Sequence, residues 1–355
     1  MSRNLTAHHL IDSTRRARQF ILSCVDAQGM WQDFQTLAGP SDEWVSGYII
    51  YALTELRHYD RDCLSASRNL LGRQRRNGGW AYGLDVPADC DSTAWVLLGL
   101  QTLANWRQSA IERGVWYLKA HQDKTNGGFS TYIPDDAIAE YIEVDEEQTL
   151  GWLQPQPSVT AAAIQALLVH GEPTDSVVIS AAARYLQAQQ SDHRLWRSYW
   201  WTDYGYVTYH SLKALLFARA LEPSAAEESA QIIRSRQLRN GAWSEGGGRD
   251  DVFLTANNVL TLLLVPHALN IAAARHAVGW LVDRQEPNGN WLSAPILRIP
   301  PPFAMNTENV ARWRANELGT GVVVADQNTL FTTATALRAM HIFSEITTMK
   351  QTSNE

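Results

Sequence analysis

The chain has 355 residues with a net charge of −7, from 30 basic and 37 acidic side chains, and 45% of its residues are hydrophobic. This composition predicts a folded domain with a large core and excludes disordered and fibrous classes. The acidic balance without a long basic cluster argues against a nucleic-acid partner, and no apolar run approaches the roughly 20 residues that span a bilayer. Three cysteines without CxxC spacing, behind a polar N-terminus, predict a reduced cytoplasmic protein.

A short segment recurs along the chain, made of a glutamine, a few polar residues, one or two glycines and an aromatic residue. Its six copies end at Trp31, Trp80, Phe129, Trp196, Trp243 and Trp291, and the copy at Trp196 is degenerate. Successive copies stand about 48 residues apart, with roughly 19 extra residues in the third unit, and such a period indicates an internal repeat.

Each repeat unit predicts two helices. The first is amphipathic, as at 64–74 or 181–190, and ends at an Asn/Gly pair, since glycine favours the left-handed position after a helix. The second is more apolar, and these inner helices cover 44–53, 91–100, 158–167, 206–215, 253–262 and 331–340. Six hairpins predict an all-α fold, an (α/α)6 toroid or barrel over residues 1–345, with a tail at 346–355. An open superhelix is the alternative, but neither end has the polar cap typical of a solenoid.

A Ser or Thr lies seven residues before the last Leu or Met of each inner helix, and we align the helices on it. These anchors are Ser46, Thr93, Thr160, Thr208, Thr255 and Thr333. Two residues upstream stand Trp44, Asp91, Ser158, Tyr206, Phe253 and Phe331, which in a ring would face the central cavity. Asp91 is a lone acid among aromatic and small equivalents, which makes it a candidate functional residue.

Positions four residues before the anchors are mostly polar and predict helix N-caps. They are Asp42, Asp89, Gln156, Tyr204, Asp251 and Thr329. Capping is a sufficient role for Asp42 and Asp251, because acidic caps are common. Asp89 is two residues from Asp91, so it could also share or orient a proton as a second carboxylate.

A carboxylic acid in an apolar pocket stays protonated, because burial disfavours its charged form. Aromatic faces stabilise cations by roughly 0.5 to 2 kcal/mol each. Asp91 among aromatic residues therefore predicts protonation of an alkene or epoxide and guidance of a carbocation. Trp44, Trp95, Ser158, Tyr206, Phe253 and Phe331 are the predicted substrate-binding residues.

Residues 77–100 resemble the acid-motif region of squalene-hopene cyclases and other class II terpene cyclases, which carry Asp-x-Asp-Asp-Thr-Ala after a Gly-Gly-Trp repeat. Asp89, Cys90, Asp91, Thr93 and Ala94 match this motif, and Ser92 replaces the last Asp. The Gln-Gly-Trp segments are similar to the QW repeats of the superfamily, so the resemblance covers residues 10–345. It implies Asp91 as proton donor, Tyr204 as an assisting tyrosine, Tyr206 as a second cavity tyrosine, and no cofactor.

Two departures from the family pattern stand out. The helix that reads Val-Thr-Ala-His in the bacterial hopene enzymes has Ala162 in place of the activating histidine, which leaves His210 or His193 as candidates to compensate. The relatives also use two toroids, whereas this chain has residues for one. Either the ring closes over its own cavity, or a second copy or another protein completes the pocket.

The predicted partner is a hydrophobic, isoprenoid-like small molecule, and peripheral contact with a membrane stays open. Residues 132–152 form an acidic insert with aromatic ends, which is either a solvated surface loop or a lid or partner-docking segment. Residues 294–321 are a second irregular segment, which we expect to cross one face of the ring as a strap.

Three other functions are alternatives to proton-initiated cyclisation or isomerisation. A zinc site like that of the protein prenyltransferases would need a histidine just before one of the anchors, and none is present there. Ionisation of a diphosphate with magnesium would need a third acid beside Asp250 and Asp251. No metal is therefore predicted. A non-catalytic toroid that binds a lipid or peptide, with Asp91 as a buried cap, remains the alternative.

Overall fold

The computed structural model describes residues 5–102, 108–245, 248–315 and 317–352, and helices dominate these ranges. In chain order the helices are α1 (Ala7–Ser23), α2 (Glu43–Glu55), α3 (Arg61–Arg73), α4 (Cys90–Gly99), α5 (Gln108–Ala120), α6 (Ile138–Tyr141), α7 (Leu150–Leu153), α8 (Pro157–Val169), α9 (Val177–Ala188), α10 (Gly205–Phe217), α11 (Pro223–Ser235), α12 (Val252–Leu264), α13 (Ala268–Arg284) and α14 (Leu330–Thr352). Among the described residues, no helix is both long enough and apolar enough to cross a membrane.

The inner helices form a closed ring. Helices α2, α4, α8, α10, α12 and α14 each pack against the next in this order, and α14 packs back against α2. Outer helices α1, α3, α5, α9, α11 and α13 lie against them, with one face buried and one exposed. The predicted (α/α)6 toroid is therefore confirmed, and the closure of α14 on α2 excludes the open superhelix.

In five of the six units the repeated segment holds the hairpin together through two hydrogen bonds from one tryptophan, and in the third unit Phe129 makes only the backbone bond, to Thr160. The backbone N–H of Trp80 donates to Oγ1 of Thr93 at 2.8 Å, and its indole N–H donates to the carbonyl of Leu70 at 2.6 Å. Trp31, Trp196, Trp243 and Trp291 repeat both bonds in their own units. The Ser/Thr anchors thus accept a backbone hydrogen bond that would otherwise be missing in a buried turn.

The glutamine of each segment links its unit to the following outer helix. Gln74 Nε2 donates to the carbonyls of Gly78 and Ala110, both at 2.8 Å. Gly78 has φ +94, and a Cβ there would lie 2.6 Å from the carbonyl oxygen of Arg113, so the turn requires glycine. Gln285 Nε2 donates to the carbonyl of Ser13 at 3.0 Å, and this bond joins the last unit to the first helix.

Short strands occur only in the connections of the described chain. They are β1 (Asp33–Thr36), β2 (Gly39–Ser41), β3 (Trp80–Ala81), β4 (Ala88–Asp89), β5 (Pro295–Ile299), β6 (Arg314–Ala315) and β7 (Val322–Ala325). Strands β1 and β2 and strands β3 and β4 form antiparallel pairs, while β7 lies between an antiparallel β5 and a parallel β6. The strap and the residues that directly follow it thus form a small sheet of their own. The last helix continues through Thr352, beyond the boundary expected at 345.

One end of the ring interior is filled by a buried ion cluster. Glu55, near the C-terminus of α2, binds Lys213 at 2.6 Å and Arg338 at 2.7 Å. Arg338 also donates to the hydroxyls of Tyr209 and Tyr51 at 3.1 and 3.2 Å. Burial works against the charged form of Glu55, but the two cations outweigh it and lower the pKa of this carboxyl. Buried side chains therefore fill this end of the ring interior.

Candidate active site

A cavity of about 670 Å³ opens at the N-terminal ends of α2, α4 and α8. Its floor carries Trp44, Asp89, Asp91, Ser92 and Ser158, so it includes the predicted acid. Its other walls come from the insert, the strap, the β1–β2 turn and the loop before α10. They include Tyr82, Thr131, Tyr132, Ile138, Tyr141, Ile142, Trp152, Trp200, Trp201, Leu297, Ile299 and Phe303. All of these walls belong to this chain, and most are apolar.

Asp91 lies in the first turn of α4 and presents its carboxyl group to this cavity. Its Oδ1 is enclosed by protein without a hydrogen-bond partner among the described residues, while the side chain as a whole stays half-buried. Burial raises the pKa of Asp91 to about 8, and the neighbouring charge of Asp89 adds to the rise. The indole N–H groups of Trp44 and Trp95 act in the opposite sense, although neither makes a well-formed hydrogen bond. Asp91 is therefore protonated at neutral pH.

Asp89 has two roles in the geometry. It is the N-cap of α4, where Oδ1 accepts the backbone N–H of Ser92 at 2.7 Å, and it also lines the cavity. Burial raises its pKa to about 7, although the hydrogen bond from Ser92 opposes this. The predicted capping position is thus observed, together with the predicted proximity of two carboxylates. Asp251 caps α12 in the same way, through Leu254 at 2.9 Å.

Aromatic residues of the predicted slot divide into two groups. Trp44 lines the cavity, as does Ser158 of α8. Tyr206, Phe253 and Phe331 are instead buried below it, because the indole of Trp201 covers them. The Trp201 ring centroid lies 4.1 Å from Tyr206, 5.2 Å from Phe253 and 5.4 Å from Phe331. The prediction that every slot residue faces the cavity is therefore wrong for Tyr206, Phe253 and Phe331.

Trp95 also lies below the floor of the cavity, and its ring is not part of the cavity wall. It is fully buried, and its ring meets that of Tyr48 edge-on at 4.9 Å and that of His210 at 5.0 Å. Its indole N–H lies close enough to Asp91 to influence that carboxyl. Trp95 thus supports the acid from beneath.

Tyr204 lies in a different place from the one expected for a residue that assists Asp91. It lines a second, polar groove of about 620 Å³, together with His193, Asp203 and Arg298. Its hydroxyl accepts from Nδ2 of Asn258 at 3.4 Å, and Arg236 lies over its ring. The strap and the Trp200–Trp201 pair lie between this groove and the cavity. They are joined by a hydrogen bond from the backbone N–H of Arg298, in the strap, to the carbonyl of Trp200 at 2.7 Å.

No histidine replaces the one missing at Ala162 by direct contact with Asp91. Ala162 is buried within α8, and His193 lines the polar groove. His210 lies under Trp95, and burial lowers its pKa well below the ordinary value, so it is neutral. Within the described residues, no hydrogen bond joins either histidine to Asp91.

The acidic insert forms a wall of the cavity through its apolar residues. Ile138, Tyr141, Ile142, Val144 and Trp152 line the cavity. The acidic residues of the same stretch are exposed instead, at 140, 143, 145, 146 and 147. The insert is tied to the strap by two hydrogen bonds, from Trp152 Nε1 to Pro300 O at 3.1 Å and from Gly151 N to Pro302 O at 2.8 Å. It is therefore more than a solvated loop.

A family model describes most of this chain. The squalene-hopene cyclase C-terminal domain matches residues 71–295. The chain belongs to the squalene-hopene cyclase C-terminal domain family. The family resemblance inferred from the acid motif and the QW repeats is thereby confirmed.

Two curated relatives of this cyclase family match part of their length to the chain. Squalene-hopene cyclase of Zymomonas mobilis is 25% identical over 240 residues, which are 61% of this chain and 36% of the relative. Drimenyl diphosphate synthase of Streptomyces showdoensis is 24% identical over 259 residues, which are 70% of this chain and 45% of the relative. The chain therefore spans less than half the length of these relatives.

A solved structure of similar size also matches this member of the squalene-hopene cyclase family. A variant of the type II terpene cyclase MstE from Scytonema, in complex with its substrate geranylgeranyl dihydroxybenzoate, superposes with a TM-score of 0.87 at 28% identity. The match covers 96% of this chain and 98% of that chain. The toroid is thus a fold that this chain shares with that terpene cyclase.

Several cavity residues were not predicted from the sequence. Trp201 and Trp200 carry the separation of the two pockets, and Tyr82 and Tyr132 add aromatic walls. The two adjacent tryptophans stand shortly before the tyrosine-rich inner helix. Their closeness to the slot position Tyr206 is the sequence feature that could have pointed to a role in the cavity. Tyr82 lies in the connection between β3 and β4, where no periodicity points to it.

Proposed function

We propose that this chain is a class II terpene cyclase, which protonates an alkene or epoxide of an isoprenoid with Asp91 and guides the carbocation to a cyclised or isomerised product. One observation carries the proposal: the carboxyl group of Asp91 lies at the floor of an apolar, aromatic-walled cavity, and its Oδ1 has no hydrogen-bond partner among the described residues. Burial there raises its pKa, which favours the protonated form. Family membership and the likeness to MstE support the proposal.

Asp91 begins the reaction by donating its proton. The carboxyl O–H bond breaks, a C–H bond forms at the less substituted alkene carbon, and the other carbon becomes a tertiary cation. The conjugate carboxylate then stays in a cavity of low polarity, where burial disfavours its charge. The raised pKa makes Asp91 a weaker acid than an exposed aspartic acid, but it keeps the proton on the carboxyl at neutral pH, where an exposed aspartic acid is already ionised and has no proton to donate.

Cyclisation follows as each neighbouring alkene attacks the cation. The faces of Trp44, Trp201 and Tyr82 border the cavity, and each π-face stabilises a nearby cation by about 0.5 to 2 kcal/mol. The insert and the strap exclude water from the chain of alkenes, because water would capture the cation as an alcohol. Transfer of a carbon-bound proton to water at the cavity mouth leaves an alkene and ends the reaction, and Asp91 regains a proton from solvent.

The substrate is a flexible isoprenoid, bound by burial of its apolar surface. MstE, which takes geranylgeranyl dihydroxybenzoate, and the squalene-hopene cyclases are the precedents for a long polyprenyl chain. Substrates for a first screen are therefore squalene, geranylgeraniol, geranylgeranyl diphosphate and prenylated phenols. A reaction in D₂O distinguishes this chemistry from hydrolysis, because each product molecule gains one carbon-bound deuterium.

The deciding experiment compares the purified chain with Asp91→Asn on this screen, by mass spectrometry of products formed in D₂O. We expect the variant to lose at least about 100-fold in turnover, because a general acid contributes that much or more. Asp135→Asn, which changes an exposed acid of the insert, is the matched control and keeps wild-type turnover. Unchanged turnover in Asp91→Asn, or isoprenoid binding without any product from the whole screen, would favour a non-catalytic binding toroid instead.

A further inference from the structure

Behind Asp89 lies a buried cluster of three polar side chains that the proposed reaction does not use. Tyr117 belongs to α5, His121 follows the end of that helix, and Asp136 comes from the insert. His121 Nε2 lies 2.7 Å from Asp136 Oδ2, and the Tyr117 hydroxyl donates to Asp136 Oδ1 at 2.7 Å. All three residues are buried. The cluster therefore fastens the insert to the outer ring.

The hydrogen bonds limit where the protons of this cluster can lie. His121 Nδ1 lies 2.9 Å from the carbonyl oxygen of Tyr117, which can only accept, so Nδ1 carries a proton. Asp136 accepts from the Tyr117 hydroxyl and from the backbone N–H of Ile133 at 2.9 Å, which suits a carboxylate. One further proton makes the short contact between Nε2 and Oδ2, and with that proton on the ring His121 and Asp136 form a buried ion pair.

The cluster is linked to the segment that carries the acid through Tyr117 and through Thr131, which lies just before the insert. The ring of Tyr117 packs against strand β4, since a Cβ at Gly79 would lie 2.8 Å from both that ring and Cβ of Ala88. The backbone N–H of Cys90 donates to Thr131 O at 2.9 Å, just before the insert. A displacement of the insert would therefore move the N-terminus of α4, where both carboxylates stand.

We propose that His121 and Asp136 are positioning residues for the acid at Asp91, because their ion pair fixes the insert against α4 and sets the charge that Asp89 experiences. This inference rests on the proposed function. The pair would give the acid motif a charged partner. Such a partner is otherwise missing from the inner helix, because Ala162 stands where the hopene enzymes carry a histidine. The partner comes from outside the ring of inner helices and acts through Asp89.

His121 and Asp136 change the pKa of Asp89 in opposite directions. Titratable groups facing the two acids are Cys90, Tyr117, His121, Tyr132, Asp136 and Tyr206. Among the charges outside the acid motif, Asp136 raises the pKa of Asp89 and His121 lowers it, although burial is the largest cause of its rise. Removal of the cation alone leaves a negative charge behind Asp89, whereas removal of the anion takes that charge away.

The experiment measures the pH dependence of kcat in His121→Gln and Asp136→Asn. In His121→Gln the pKa of Asp89 should rise, so Asp89 carries less negative charge at a given pH and raises the pKa of Asp91 less. We therefore expect the alkaline limb, where Asp91 loses its proton, to move downward by about half a pH unit in His121→Gln and upward by a similar amount in Asp136→Asn. His170→Gln is the matched control, because His170 also bonds α4, through Leu97 O at 2.8 Å, but at its far end. The control keeps the wild-type limb.

Opposite shifts support the proposal, and a purely structural cluster would lower activity without moving the limb in opposite directions. Unmoved limbs, or shifts of the same sign in both variants, overturn it. His121→Asn, which keeps a donor near the Nδ1 position, serves if His121→Gln does not fold. The infrared band of the protonated Asp91 carboxyl, identified by its loss in Asp91→Asn, gives the same midpoints without turnover. The positioning proposal can thus fail or succeed independently of the proposed reaction.

Discussion

The indole ring of Trp201 lies 4.1 Å from the ring of Tyr206 and fills the space above the aromatic slot of the toroid. Trp201 stands outside the inner helices, in the loop that precedes α10, and pairs with Leu297 of the strap through a β-bridge. Trp201 therefore decides where the cavity ends: Trp44 borders the cavity, whereas Phe253 and Phe331 are core residues.

Trp201→Ala should extend the cavity toward Tyr206 and Phe253. A deeper cavity lets the substrate fold differently, so we expect a changed product distribution, measured by gas chromatography with mass spectrometry. Loss of the buried indole should also lower the free energy of unfolding by about 3 to 5 kcal/mol. Trp116→Ala is the control, since Trp116 is 66% exposed, and it should change neither quantity appreciably. An unchanged product pattern in folded Trp201→Ala would contradict the separating role of this residue.

Thr93→Val should destabilise the fold, because it removes the acceptor of the Trp80 backbone N–H in a buried turn. An unsatisfied buried donor costs about 1 to 3 kcal/mol, measured as the loss in free energy of unfolding by urea. Thr54→Val provides the matched comparison, because the hydroxyl of Thr54 is buried without a partner in the described structure. That substitution should be neutral or stabilising. Equal losses of the free energy of unfolding in the two variants would show that the anchor hydrogen bond does not stabilise the fold.

Asp91→Asn should stabilise the protein, and more so as the pH rises. The pKa of Asp91 is raised from 3.8 to about 8 on folding, so ionisation penalises the folded state above pH 4 and the penalty is complete above pH 8. At pH 4 to 5 the two proteins should have similar melting temperatures, and near pH 8 the variant should gain on the order of a few kcal/mol. Thermal unfolding across this range checks the prediction, which a pH-independent difference would contradict.

Glu55→Gln should strongly destabilise the ring, because it leaves Lys213 and Arg338 as buried cations without their carboxylate. Breaking a buried ion pair from one side costs about 3 to 5 kcal/mol. Glu228→Gln breaks the exposed pair with Arg194, at 2.8 Å, and should change the free energy of unfolding by less than about 1 kcal/mol. Chemical denaturation of both variants tests the contrast, and similar small losses would mean that the cluster does not stabilise the ring.

The repeat pattern allowed the fold to be predicted closely. Trp80, Thr93 and Gln74 interact within one hairpin or with the next, so their spacing in the sequence carries the geometry. The same alignment identified Asp91 as the acid of the slot and Asp89 as a cap, because both positions follow from the register of a single helix. What periodicity cannot express is the packing of irregular connections, and Trp201, Tyr82 and the insert were accordingly left without roles or with alternatives.

The sequence by itself determined the six-hairpin toroid and the position of its acid, since both depend on hydrogen bonds and helix registers within about 50 residues. Only the tertiary structure decided which aromatic residues border the cavity, because Trp201 meets Leu297 and Phe331 across long separations in the chain. It likewise brought His121 to Asp136 and Glu55 to Arg338. Such contacts depend on how connections fold back over a closed ring, and no local pattern records that path.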